Sequence, residues 1–582
     1  MKKANKQSDK IISGYKLIFG YLGIFLVLIG GIILLPLLII PFLPTLITKD
    51  AGISFIADPF NSGTNLLENI NLYRDAHWWP AFVIPASVAI IIGLVLFFSL
   101  IFKKEKDKLK PHHDSILLVL VWISAMIFCA FPFYLRNMNW ETFTWTNDQF
   151  SFIGGLYEAT SGLCSIGLTL FKGLGASLPD IPTLSPLWDG YYIYCIYRSI
   201  LLFFGGVGLV LVVGSALSDR YGINLYRVEG HNDKLLPNLR KSSGLILRIY
   251  IGYILIGTIA YVLFGMSIFD ALNHSISAIS TGGFSPRSES IAFYALHDHQ
   301  LVGGFYECNA LAIEIVTIVL MLLGSTNFIT HYKLLKFKFK QTFDDIEIKL
   351  VAILFIIFVP LFLIAVNLSN PTLPIQDNLR YSIFHFVSVI STTGLSNNTN
   401  AFSSTSGIIL FTNPTIFMMT ILMFIGGGAG STSGAAKQQR IGIGLKNLSW
   451  SSKASLFGPN LVLPRRIKRH GEIININDDD IKETNNMILI YLVTLLAGAL
   501  AINLLMAKSN VLPHTAMFEF MSALSSTGFS LPEFDVFQSI NNTFANNLSM
   551  LILVFGMFIG RLEILQVFIA IGRVSKDLFK RR

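Results

Sequence analysis

Charge is what this sequence has least of. Only 14% of its 582 residues are Asp, Glu, Lys or Arg, against 53% that are hydrophobic. A soluble chain of this length could not cover its surface with so little charge. Cysteine is scarce as well: Cys129, Cys164, Cys195 and Cys308 form no C-x-x-C pair, so neither a metal site nor a disulfide framework is indicated. H-E-x-x-H, the G-x-S-x-G nucleophile elbow and the P-loop are all missing. With few ionisable residues in the apolar runs, a membrane-embedded enzyme or an ATPase has no visible machinery.

What is present is long apolar runs. Residues 17–44 and 80–102 each exceed the roughly 20 residues that span a bilayer. The first is too long for the h-region of a signal peptide, and no clean small-residue cleavage site follows. The net charge of +9 is unevenly spread: 103–113 holds five lysines, 436–470 holds eight Lys/Arg and no acid, and the tail KDLFKRR is basic. Segments 45–79 and 137–190 carry more acid than base. This alternation is the positive-inside pattern of a multi-pass protein. It places the basic stretches and both termini in the cytoplasm and removes nucleic acid as a partner.

One short pattern occurs four times. CSIGL, STGGF, STTGL and SSTGF align on Gly167, Gly283, Gly394 and Gly528, spaced by 116, 111 and 134 residues. Ser165, Thr281, Thr392 and Ser526 lie two before, serines 161, 277, 388 and 522 six before, and Glu158, His274, His385 and Glu519 nine before. Repeats of this kind define an architecture. Before each glycine comes a long apolar span (115–135, 244–268, 346–370, 486–508), then a helical stretch of about 10–14 residues, too short to cross a bilayer. A second span follows (191–217, 308–332, 411–440, 546–572). Ser267 and Asp270 supply the start of a capping box for the second short helix.

The expected fold is an all-α polytopic membrane protein. It has four pseudo-fourfold repeats of span, re-entrant pore helix and span around a central pore, plus two extra N-terminal transmembrane helices, ten spans in all. The expected divisions are 1–110 for the N-terminal pair, then repeats at 111–219, 220–341 and 342–445, and a cytoplasmic linker with the last repeat at 446–582. Irregular backbone at membrane depth is tolerated only when buried or lining a watery cavity. Four such segments would present carbonyls that replace the hydration shell of a cation, with Gly282 and Gly283 ending their half-helix. Glu158 and Glu519 would sit near half-helix N-termini, as structural carboxylates or as attractors of ions. His274 and His385 read as hydrogen-bonded half-helix residues or as pH sensors.

These segments, with RSILLFFGGVG (198–208), LLGSTNF (322–328), GGGAGSTSGAAKQQR (426–440) and GRLE (560–563), resemble the TrkH/KtrB type of the Trk/Ktr/HKT superfamily of potassium transporters over nearly the whole chain. The two N-terminal spans and WISAMIFCAFPF (122–133) favour the TrkH-like branch. The resemblance implies a K⁺ selectivity filter built on Ser165, Ile166, Gly167, Thr281, Gly282, Gly283, Thr392, Thr393, Gly394, Ser526, Thr527 and Gly528. The first segment departs from the threonine-rich pattern at Cys164 and Ile166. K⁺ is the transported ion, with no covalent cofactor. The resemblance also implies a homodimer in the cytoplasmic membrane and a separate cytosolic, nucleotide-binding regulatory subunit of the TrkA/KtrA kind.

The run GGGAGSTSG (426–434) makes a poor helix centre and predicts a broken span, unless its small residues serve close packing. The resemblance makes it a gating loop of Gly426, Gly427, Gly428, Gly430, Ser431, Thr432, Ser433 and Gly434. Lys437 touches the loop or marks the interface. Arg561, costly at membrane depth, binds loop carbonyls, repels ions, or pairs locally with Glu563. Arg198 is expected to anchor the half-helix or the filter loop rather than to carry ions. Channel-like K⁺ uptake is the favoured activity; the alternative is a proton- or sodium-coupled symporter on the same scaffold.

Overall fold

The computed structural model describes residues 11–12, 14–39, 79–102, 105–106, 113–136, 138–139, 144–145, 151–170, 191–208, 239–287, 289–301, 304–371, 373–398, 412–457, 464–507, 511–531, 544–562 and 564–579. The described residues are mostly helical, with short paired strands and irregular segments between the helices. The chain is an all-α polytopic membrane protein. Among the described residues, seven helices are long and apolar enough to cross a membrane: 15–39, 79–101, 113–135, 243–263, 346–369, 478–505 and 544–561. One bent pair and two shorter apolar helices, 193–207 and 413–425, occupy the remaining expected span positions.

Two N-terminal helices, α1 (Tyr15–Ile39) and α2 (Trp79–Leu96), pack backbone to backbone. A Cβ on Gly23 would lie 2.6 Å from the Gly93 carbonyl, and one on Gly93 the same distance from Gly23 O. The next helices are α3 (His113–Leu135), α4 (Phe152–Leu163), α5 (Tyr191–Val207), α6 (Leu239–Leu263) and α7 (Ile268–Ile279). They are followed by α8 (Ala310–Gly324), α9 (Phe328–Leu335), α10 (Ile346–Ser369), α11 (Ile375–Ile390), α12 (Asn413–Ile425) and α13 (Gln438–Phe457). The last four are α14 (Asp478–Leu505), α15 (Pro513–Ser525), α16 (Phe544–Arg561) and α17 (Ile564–Phe579).

The short helices α4, α7, α11 and α15 each precede one of the four glycine motifs. They have 12, 12, 16 and 13 residues, so the third is longer than expected. Two have serine N-caps: Ser151 accepts from Gly154 N–H and Ser267 from Asp270 N–H, at 3.1 and 3.0 Å. The Asp270 carboxylate, expected to complete a capping box, instead binds Arg287 and Tyr294. The fourth helix starts with Pro513, whose fixed φ suits a first turn.

The second spans are interrupted at more places than the one expected. The break in the third is present, from Gly426 to Lys437. The span expected at 308–332 is also broken: α8 and α9 meet at 113°, because the Asn327 side chain starts a new helix by accepting from Ile329 N–H at 2.8 Å. The span at 546–572 stops at Arg561 and resumes at Ile564. The cytoplasmic linker expected to open the division 446–582 contains the second half of the 20-residue α13 and a hairpin pairing Arg466–Arg469 with Glu472–Asn475. The start of the second repeat, expected at 220–341, lies outside the described residues as far as 238. All four cysteines are buried and unbridged.

Candidate functional site

All four glycine motifs have the same backbone. Helices α4, α7, α11 and α15 close when Ser165, Thr281, Thr392 and Ser526 turn into the left-handed region, with φ of 54°, 52°, 57° and 60°. The N–H of Ile166, Gly282, Thr393 and Thr527 then reaches back to the carbonyl of Ser161, Ser277, Ser388 and Ser522, at 2.9–3.0 Å. This is a Schellman closure, with a hydroxyl residue where glycine is usual. Hence Thr281, not Gly282, ends the second half-helix. Gly282 is small for another reason: a Cβ there would lie 2.3 Å from the Leu202 side chain. The hydroxyls of Ser161, Ser277 and Ser522 have no hydrogen-bond partner among the described residues, while the Ser388 hydroxyl donates to Leu395 O at 2.7 Å.

The next residue, the motif glycine, also has positive φ: 88°, 72°, 80° and 89° at Gly167, Gly283, Gly394 and Gly528. Each packs on the neighbouring segment's carbonyl. A Cβ on Gly167 would lie 2.5 Å from Gly282 O, on Gly283 2.2 Å from Thr393 O, on Gly394 2.0 Å from Thr527 O, and on Gly528 1.7 Å from Ile166 O. The contacts run from first segment to second, third, fourth and back to first. The four segments singled out from the sequence therefore meet in one closed ring, through Ile166, Gly167, Gly282, Gly283, Thr393, Gly394, Thr527 and Gly528.

The polar residue nine before each glycine has one task throughout. Glu158 accepts from the Thr169 hydroxyl at 2.7 Å, and Glu519 from Ser530 at 3.0 Å. His274 and His385 hydrogen-bond Ser285 and Ser396 through Nε2 at 3.0 and 3.1 Å, and contact helix carbonyls through Nδ1. The carboxylates lie in mid-helix, not at N-termini, and clamp the chain leaving the ring. Thr169, Ser285, Ser396 and Ser530, all two residues after the glycine, were the missed half of this pattern. Arg198 sits 3.6 Å from Glu158 and 3.9 Å from the centre of the Phe284 ring, bracing the first half-helix against the second segment.

The broken span lies against this ring. Thr432 Oγ1 is 3.1 Å from Thr281 Oγ1 and donates to Gly324 O at 2.8 Å, and Gly434 N–H donates to Thr392 Oγ1 at 3.2 Å. A Cβ on Gly434 would be 2.4 Å from Ser525 O. Three of the four half-helix ends thus touch the loop. Ser431 Oγ bonds Gly428 O at 2.7 Å and Ser433 Oγ at 2.8 Å, closing the loop on itself. Lys437 Nζ donates to Ser433 O, and Gln438 donates to Gly426 O at 2.8 Å. The guanidinium of Arg561 donates to Thr432 O at 2.6 Å, to Gly206 O at 3.2 Å and to Gly205 O. It therefore joins the loop to α5 of the first repeat. Elsewhere in α5, α8 and α16, Gly205, Gly324 and Gly560 abut Leu163, Ile279 and Leu524 carbonyls, where a Cβ would lie at 2.1, 2.5 and 2.0 Å.

The sequence matches the TrkH family, cation transport proteins, over residues 80–579. It is 27% identical over 503 residues to an uncharacterized cation transporter of Methanocaldococcus jannaschii, covering 86% of this chain and 90% of that one. To the Trk system potassium uptake protein TrkH of Vibrio parahaemolyticus it is 27% identical over 383 residues, 64% of this chain and 68% of the other. The crystal structure of the potassium transporter TrkH from Vibrio parahaemolyticus has the same fold, with a TM-score of 0.70 at 20% identity, covering 96% of this chain and 98% of that one. The chain is thus a transport protein rather than an enzyme, and it belongs to the TrkH family of cation transport proteins.

Proposed function

We propose that this protein carries K⁺ into the cell across the cytoplasmic membrane through the ring of glycine motifs, down the electrochemical gradient. The observation that carries this reading is the closed sequence of contacts among Gly167, Gly283, Gly394 and Gly528 and their neighbours' carbonyls. It draws four non-helical segments together at one place, where carbonyls can substitute for the water around a dehydrated cation. The relatives named Trk system potassium uptake proteins give the ion.

The loop 426–437 is the gate on this reading, held shut by Arg561 and by Thr281 and Thr392. The family resemblance adds a dimer and a cytosolic nucleotide-binding regulator, and the charge alternation puts both termini inside. The four repeats and the N-terminal pair keep the divisions drawn from the sequence. Coupled symport has less support. Glu158 and Glu519 clamp the ring exits, and Glu314 is held by Arg380 at 2.7 and 3.0 Å.

The experiment is rescue of growth at low external K⁺ in cells without their own uptake systems, followed by flux from proteoliposomes. Uptake that follows the K⁺ gradient and is unchanged by imposed proton or sodium gradients supports the proposal. A reversal potential that shifts with either gradient contradicts it.

A further inference from the structure

Ala429, in the middle of the broken span, has its peptide group held on both sides from outside the ring. The Asn327 side-chain amide donates to its carbonyl, and its N–H donates to Glu347 Oε1 at 3.2 Å. Gly428, next to it, packs so closely on Glu347 that a Cβ would lie 2.8 Å from Oε2. Glu347 belongs to the first turn of α10 and is buried. The cation facing it is Arg469 of the hairpin, 3.8 Å away and equally buried.

The hairpin grips the same helix start at two further acids. His470 N–H donates to Asp345 Oδ2 at 2.8 Å, and Lys468 Nζ to Asp344 Oδ2 at 2.7 Å. Beneath it, Ile467 joins Ile346, Ile443, Ile476 and Ile481 in a small apolar cluster separate from the main core. Ile443 is on α13, the helix that leaves the loop. The hairpin therefore touches both attachments of the loop: Glu347 through charge and α13 through packing. Nothing in the transport reading above uses it.

We infer that the hairpin 466–475 is a lever on the loop, and that Arg469 and Glu347 are positioning residues that hold Ala429 in the closed arrangement. This rests on reading 426–437 as the gate. A buried carboxylate that loses its cation, or the cation that loses its carboxylate, is costly, so either loss displaces the carboxylate that the loop N–H needs. Because both residues act through one peptide, their effects should not add.

The test is rubidium uptake by the full-length protein in proteoliposomes. Arg469→Gln and Glu347→Gln should each raise the initial rate about threefold or more, with the double variant no faster than the faster single one. Arg469→Lys should restore the wild-type rate, and K⁺ over Na⁺ preference should be unchanged in all of them. Arg561→Ala separates the two levels of the reading. If it raises uptake while Arg469→Gln leaves it unchanged or lowers it, the lever is wrong and the gate stands. If neither raises uptake, the gate reading fails and the lever with it.

A milder variant covers the case in which Arg469→Gln does not fold. Lys468, about half exposed, can become Gln with little risk, and hydrogen exchange is then compared in 466–475 and 426–437. Faster exchange in both segments supports the lever; faster exchange in the hairpin alone overturns it.

Discussion

Ser165, Thr281, Thr392 and Ser526 occupy backbone space that costs a side-chain-bearing residue about 1–3 kcal/mol, and most so the β-branched threonines. Glycine would avoid this cost, but it would also remove the Oγ1 atoms with which Thr281 and Thr392 meet Thr432 and Gly434. At Thr281 and Thr392 the strain goes with a hydroxyl contact to the loop; the Ser165 and Ser526 hydroxyls have no hydrogen-bond partner among the described residues. The clamps nine residues before each glycine follow the same logic. Glu519 takes both the Ser530 hydroxyl and the Leu531 N–H, and hydrogen bonds to a charged acceptor contribute about 1.5–3 kcal/mol each. Glu519→Ala should lower the melting temperature by several degrees and reduce uptake. Glu519→His should recover part of both, because His274 and His385 do the same work in the second and third repeats; a histidine variant no better than alanine would show that the clamp is not the shared feature. The residues of this clamp were half legible. The polar position at minus nine shows in the sequence, but its hydroxyl partner at plus two lies across a chain reversal, and helical periodicity does not register a contact spanning eleven residues.

At the level of elements, the proposed gate rests on breaks in the helices rather than on the spans. The run of nine small residues at 426–434 announces a broken helix, and the structure places the break there. The break at 325–327 was equally written in the sequence, as Asn327 before an apolar run, a helix-start signal; a continuous apolar reading of 308–332 hid it. Arg561 ends α16 at the corresponding place and crosses to α5 and the loop. Removing its guanidinium leaves Thr432 O without its charged donor, so Arg561→Ala should raise basal uptake about tenfold, equivalent to about 1.4 kcal/mol, measured in proteoliposomes. An unchanged rate would leave the loop without a latch. The hairpin has its own dependence on acidity. Burial pushes the Asp345 carboxyl up, but hydrogen bonds from His470 and from the Glu347 N–H outweigh it and hold the group below its ordinary value. Lys349 and Lys468 hold Asp344 at about 2. Groups depressed in this way stabilise the docked hairpin above the ordinary carboxylate range, about 3.9, and lose that effect as pH falls through the lower folded values. Hydrogen exchange in 466–475, corrected for intrinsic rate, should therefore rise as pH falls below about 4, where these two carboxylates become neutral. No rise there would mean that Asp344 and Asp345 do not hold the hairpin.

For the whole molecule, the decisive feature is closure. Four segments spaced by more than a hundred residues each make one cycle of glycine-to-carbonyl contacts, so each segment's geometry depends on the next. Composition and charge alternation were enough to read a multi-pass protein, and the repeated glycine was enough to read four equivalent segments. Their order of contact was not legible, because sequence spacing says nothing about which repeat lies beside which. The closure makes a strong demand on Gly283: its φ of 72° and the 2.2 Å between a would-be Cβ and Thr393 O leave no room for a side chain. The measurement to make is the ratio of K⁺ to Na⁺ flux in proteoliposomes for wild type and Gly283→Ser, with folding checked by size exclusion. Wild type should favour K⁺, and Gly283→Ser should lose about tenfold or more of that preference because the second and third segments must separate. A folded Gly283→Ser protein with the wild-type ratio would contradict the carbonyl ring as the seat of selectivity.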